Sequence, residues 1–175
     1  FHVLAGRGGL RIERRSLAEY DLRILGYEAR LAKSRRVEPF RAFKYFQYVA
    51  LLFTEIFLDR LTDDPVTFLH DLNSFLQSSQ AQDPGVRNIE PFAPDDLRRL
   101  AYFMATGSGK TLLLHAAIWQ LHHYLQQGRH PAPLVRRADG RREFDSVLLI
   151  TPNEGLSRQH LEEFRSSGIE AVPLV

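Results

Sequence analysis

Five residues, Gly107-Ser108-Gly109-Lys110-Thr111, set the tightest limit on what this chain can fold into. They stand between a short apolar run, Leu100 to Ala105, and a segment from Lys110 to about Gln126 whose pattern is that of an amphipathic helix. A buried strand, a glycine turn and a helix in that order gather backbone N–H groups at one point. Gly107 and Gly109 lack Cβ, so the backbone can curl and approach an anion. Successive N–H groups make a nest, and the helix adds unpaired donors and the positive end of its dipole. Lys110 brings a mobile cation to β- and γ-phosphates, and the Thr111 hydroxyl suits Mg²⁺. The general pattern has glycine where this chain has Met104. A strand-to-helix turn that binds nothing is the competing reading. Gly-Lys-Thr at the head of a helix after an apolar strand speaks against it.

The rest of the chain frames that site. Apolar residues from about Glu13 to Lys33 keep helical spacing. A second helix, rich in aromatics, is expected from Phe40 to Leu61. Asp63-Asp64-Pro65 reads as an N-cap with proline in the first turn of a third helix that runs to about Ser78. Ser78 to Pro94 reads as a loop. Pro94-Asp95-Asp96 caps a short helix from Asp96 to Arg99, with Asp95 and Asp96 as capping residues. After the glycine turn, Gly128 to Phe144 reads as a loop or ribbon with an Asp139-Gly140 turn. Val147 to Thr151 is a second expected strand, Glu154 to Ser167 a helix, and Ile169 to Val175 the start of a third strand. This alternation predicts an α/β fold: a helical region over 1–94, then over 95–175 the first half of a domain with a parallel sheet and helices on its faces.

Composition adds limits. Hydrophobic residues make up 44% and charged residues 25%, so a core can form. The formal net charge is only +2, which by itself calls for no nucleic acid. The 20 arginines against 3 lysines suit phosphate contacts, and equally suit ordinary solvated surface. With no cysteine, disulfides and thiolate metal sites are excluded, and a reducing cytoplasm is allowed. The longest apolar stretch, Tyr48 to Leu58, is about half a membrane span and holds Glu55, so no membrane partner is expected. The chain opens on Phe1 and closes on Val175 after an apolar run, and reads as a piece of something longer.

From about residue 97 onwards the chain resembles superfamily-two helicases and translocases, above all the Res subunit of type III restriction enzymes and related DEAD/DEAH-box proteins of phage defence. Leu100-Ala-Tyr-Phe-Met-Ala-Thr-Gly-Ser-Gly-Lys-Thr111 is similar to their motif I, where Met-Ala-Thr-Gly is a habitual lead-in. Leu148-Leu-Ile-Thr-Pro-Asn-Glu-Gly-Leu-Ser-Arg-Gln-His-Leu-Glu-Glu163 is similar to motif Ia. The softer run Tyr45-Phe-Gln-Tyr-Val-Ala-Leu-Leu-Phe-Thr-Glu55 resembles the region of an adenine-sensing glutamine.

The resemblance implies a RecA-like ATPase domain acting with DNA, in restriction or phage defence, with a methyltransferase or other defence subunit as partner. It places ATP and Mg²⁺ on Thr106, Gly107, Ser108, Gly109, Lys110 and Thr111, with Lys110 and Thr111 as the catalytic pair and Thr111 the Mg²⁺ ligand. It places the DNA backbone on Thr151, Gly155, Ser157, Arg158 and Gln159, where a helix N-terminus also suits phosphate. An ordinary β-to-α turn is the bland alternative there. Gln47 would contact adenine. A whole helix separates it from motif I, farther than in relatives, and an exposed helix position is the equal alternative. No Asp-Glu-x-His or Asp-Glu-x-Asp follows, so the fragment alone is expected to hydrolyse ATP hardly at all.

Other constellations carry less. His115, His122 and His123 cannot share one helix face, which disfavours a metal site. His160-Leu-Glu-Glu163 is not the zinc-hydrolase arrangement. Two other functional classes stay open: another P-loop enzyme, such as a small-molecule kinase or nucleotide switch, and a partner-docking piece built on the aromatic helix Phe40 to Leu61.

Overall fold

The computed structural model describes residues 12–35, 43–126 and 147–173. Five α-helices carry the described chain: α1 (Arg14–Arg35), α2 (Tyr45–Asp63), α3 (Pro65–Gln82), α4 (Lys110–Gln126) and α5 (Glu154–Ser166). Two short 3₁₀ turns, Pro84–Val86 and Pro94–Arg98, lie between α3 and the glycine turn. The expected Gly128–Phe144 ribbon with its Asp139-Gly140 turn lies outside the described residues. The second expected helix begins at Tyr45 rather than Phe40: Phe43 and Lys44 are non-helical, and Lys44 is the N-cap, its N–H taken by the Gln47 side chain.

Helix α1 buries Leu17, Tyr20, Ile24 and Leu31, a stripe at helical spacing. Helix α2 is apolar on most of its surface because it is packed on several sides, against α1, α3 and α4. Its Leu51, Leu52 and Ile56 join the α1 stripe and Leu113, Ala116 and Trp119 of α4 in one core. The helical region and the helix behind the glycine turn therefore share a single hydrophobic centre. A smaller cluster joins Leu61, Phe68 and Leu97, with Phe57 meeting Phe68 edge to face at 5.4 Å between ring centres. Between α2 and α3, Asp64 caps α3 by accepting from the N–H groups of Val66 and Thr67 at 3.1 and 3.0 Å, with Pro65 in the first turn. Helix α3 runs one turn further than its pattern indicated, to Gln82. There the Gln80 amide donates to the Ile89 carbonyl at 2.7 Å and holds the following loop.

A buried polar network joins α1, α2 and α4 inside that core. Glu55 is fully buried. Its carboxylate accepts from Arg23 Nε at 2.8 Å, Tyr124 Oη at 2.7 Å and Gln120 Nε2 at 2.9 Å. Gln120 Nε2 also reaches the Leu51 carbonyl at 2.9 Å. Burial and the neighbouring Glu55 charge push the Tyr124 phenol well above its usual range, so it stays a neutral donor.

The expected parallel sheet is not formed among the described residues. Leu100–Ala105, Val147–Thr151 and the described part of Ile169–Val175 are assigned neither strand nor bridge. A strand exists only by pairing its backbone with a neighbour, and these runs have no such ladder among the described residues. Several of their side chains face solvent, Phe103 fully and Ile150 at 82% exposure, while Met104 and Ile169 pack against the core.

Removing the Glu55 carboxylate leaves the partly buried Arg23 guanidinium without its counter-charge. Glu55→Ala is expected to destabilise the fold by about 3 kcal/mol, the lower end for broken buried pairs because Arg23 keeps some solvent contact. Urea unfolding of the two proteins measures it.

Candidate nucleotide site and the helix that follows it

Helix α2 positions the glycine turn from one side. The Tyr102 and Thr54 hydroxyls bond at 2.7 Å, and Met104 packs against the main core. Gln47, buried near the start of α2, donates from Nε2 to the Ser108 carbonyl at 2.8 Å. Its Oε1 accepts from the Lys44 N–H at 2.9 Å and so caps α2. Sequence distance alone leaves Gln47 an even choice between site and surface. Packing sets it on the glycine turn.

The turn itself has the backbone such a site needs. Gly107 and Gly109 lie at φ 74° and 85°, the left-handed region that suits glycine. A Cβ on Gly109 would stand 2.4 Å from Gln47 Nε2. Among the described residues no backbone carbonyl accepts from the N–H groups of Gly107, Gly109, Lys110 or Thr111. These are orphan donors of a helix N-terminus converging on one place. The Ser108 hydroxyl is buried there without a partner. Lys110 is exposed and bends back, its Nζ donating to the Ala105 carbonyl at 3.0 Å. Orphan amides, a cation on a long stem and the Thr111 hydroxyl fit a polyphosphate with Mg²⁺.

The second group of expected residues gathers at the start of α5. Asn153 caps the helix, its Oδ1 accepting from the Leu156 N–H at 2.9 Å. The hydroxyls of Thr151 and Ser157 bond to each other across this cap, and Thr151 Oγ1 also donates to the Asn153 carbonyl at 3.1 Å. Gly155 and Gln159 are exposed on the same turn. Arg158 is exposed and pairs with Glu154 at 2.6 Å, one turn back. A solvent-exposed pair of this kind contributes little to stability and releases its arginine readily.

Helices α4 and α5 meet through residues that sequence reasoning weighed only as metal ligands or left aside. His115, on α4, is fully buried; its ring lies 4.6 Å from that of Phe164, and its Nδ1 bonds Ser167 Oγ at 2.8 Å. Arg35, at the end of α1, donates to the same oxygen from Nε at 3.2 Å and Nη2 at 3.0 Å, and reaches Glu163 at 3.2 Å. Because Ser167 Oγ accepts from Arg35, its own hydrogen goes to His115 Nδ1, and the imidazole carries its proton on Nε2. Burial first, and the Arg35 charge second, hold the His115 pKa down at about 4. No sequence spacing links residues 35, 115 and 167, so only the fold could bring them together.

A glycine turn over an α-helix N-terminus, with Lys and Thr as the first two helical residues, defines a P-loop nucleotide-binding protein. The chain belongs to the family described as type III restriction enzyme, res subunit, whose model matches residues 72–173. That family is helicase-like and ATP-hydrolysing, with a RecA-like core. No curated protein and no solved structure matches the chain.

Gly109→Ala puts a side chain at positive φ and against Gln47. It is expected to cost about 1–3 kcal/mol, read by urea unfolding, and to weaken nucleotide binding in a titration with a fluorescent ATP analogue. For His115 the linkage sign is fixed by the downward shift. Its unfolded form takes up a proton near pH 6.5 and its folded form only near pH 4. Its contribution is therefore complete above pH 6.5 and is lost progressively as pH falls to about 4. Urea midpoints measured across that window should fall less steeply in His115→Asn than in the parent.

Proposed function

We propose that this chain is the nucleotide-binding front of a DNA-dependent ATPase of the helicase or translocase type, working in DNA restriction or phage defence. The observation that carries the reading is the start of α4: the orphan N–H groups of Gly107, Gly109, Lys110 and Thr111, two of them on positive-φ glycines, with the Lys110 side chain beside them. Thr106, Gly107, Ser108 and Gly109 would wrap the ATP phosphates, Lys110 would exchange its loop carbonyls for the β- and γ-phosphate oxygens, and Thr111 would take Mg²⁺. Bound Mg²⁺ supplies the charge that stabilises phosphoryl transfer; the chain's own part is to orient the triphosphate and neutralise it. The bond from Gln47 to the Ser108 carbonyl supports counting Gln47 with this site, as the residue that would meet adenine.

Thr151, Gly155, Ser157, Arg158 and Gln159 are proposed to meet the backbone of DNA. Hydroxyls and an exposed guanidinium around a helix N-terminus suit phosphate oxygens. Leu100–Ala105, Val147–Thr151 and Ile169–Val175 are proposed strands of the RecA-like parallel sheet, because they are apolar and stand in strand–helix–strand order with α4 and α5. A methyltransferase or other defence subunit is the proposed partner, and the cytoplasm the proposed place of action. Among the described residues no helix is long and apolar enough to cross a membrane.

ATP turnover of the full protein, with and without duplex DNA, tests the reading. DNA is expected to raise turnover, and Lys110→Ala to lower the stimulated rate by at least about a hundredfold, the scale of losing one transition-state charge contact. Equal rates with and without DNA, still dependent on Lys110, would replace it with a small-molecule kinase or nucleotide switch.

A further inference from the structure

We propose that Ser167, held by His115 and Arg35, is the joint that sets the DNA-facing turn of α5 against the P-loop helix. This makes α1 a working part of the coupling between nucleotide and DNA. The inference rests on the DNA-dependent ATPase reading above.

The geometry runs in one line. His115 follows Thr111 by four residues, so it lies one turn below the phosphate-facing end of α4 on the same side. It enters α5 twice, by its ring against Phe164 and by Nδ1 on Ser167 Oγ. That oxygen is saturated: it donates once to His115 and accepts twice from Arg35. Arg35 also grips Glu163, one turn earlier on α5. Gly168 (φ 69°) closes the joint, because a Cβ there would stand 2.8 Å from Ser34 Oγ of α1. The C-terminal end of α5 is thus fixed to α4 on one side and α1 on the other.

A helix as short as α5, with 13 residues, moves as a rod. Its N-terminal turn, with Gly155, Ser157, Arg158 and Gln159, therefore takes its direction from the hold at Ser167. Any shift of α4 as Lys110 and Thr111 engage phosphate reaches that turn through His115. The joint keeps a buried His115 Nε2 without a partner. An apolar residue of similar size would avoid that cost, so packing alone does not account for the histidine. Arg35 and Ser34 lie outside residues 72–173, so this half of the joint is no part of the segment that the family model matches.

The test uses the full protein with Ser167→Ala and Arg35→Lys, neither of which touches nucleotide or DNA in this arrangement. ATP turnover is measured over a series of ATP and of duplex DNA concentrations. Basal kcat and KM for ATP are expected within about twofold of the parent, while stimulation by DNA falls roughly three- to thirtyfold, the range of couplings carried by such networks. Hydrogen exchange without DNA gives a second reading. Adding ATP and Mg²⁺ should change exchange at 154–159 in the parent and not in Ser167→Ala. Should Ser167→Ala fail to fold, Arg35→Lys carries both comparisons, since it keeps the charge near Glu163 and gives up the two-point hold on Ser167. Parent-like stimulation in both variants, or an equal fractional loss of basal and stimulated turnover, overturns the joint while the ATPase reading stands. A parent that DNA does not stimulate overturns both.

Discussion

The buried carboxylate of Glu55 is the constraint on which the rest of the structure depends. A charge in an apolar helix is tolerable only where both carboxylate oxygens find donors, and here Arg23, Gln120 and Tyr124 supply them from two other helices. The demand is directional. Apolar packing alone would let α4 slide or rotate against α2 at small cost. The Glu55 contacts, with Gln120 also on the Leu51 carbonyl, fix its register. Because α4 begins at Lys110, fixing its register also fixes where the glycine turn stands.

Helix α2 carries this logic from one end to the other. Its middle holds α4 through Glu55, and its first turn holds the glycine turn through Gln47. The turn is left with its amides outward and its hydrophobic support behind, the arrangement an anion site requires. Such a site is poor in stabilising contacts by construction, since its donors stay unpaired until a ligand arrives. Its order therefore has to come from neighbours, and α2 is the neighbour that supplies it.

The far side of α4 works differently. There a histidine of α4 and an arginine of α1 meet at the hydroxyl of Ser167, the C-cap of α5, and the histidine is kept neutral by burial and by the arginine beside it. Both ends of the proposed reaction, the phosphate turn at the head of α4 and the phosphate-suited turn at the head of α5, are thereby attached to the same helical frame.

The sequence by itself determined the five helices, the Asp64 cap with Pro65, and the glycine turn with Lys110 and Thr111, because periodicity, capping and φ preference are local properties. It also determined the family, since motif I and motif Ia are local strings. Only the tertiary structure decided the rest. Gln47 was legible as a candidate, yet its contact with Ser108 spans 61 residues and depends on how α2 packs. Glu55 read as a mere interruption of an apolar run, because its partners lie 32 to 69 residues away. No sequence pattern links Arg35, His115 and Ser167 to one another. Among the described residues, the apolar runs that read as strands show the converse limit: a short apolar run describes what a segment can do, while a strand forms only where a neighbouring backbone completes its hydrogen bonds.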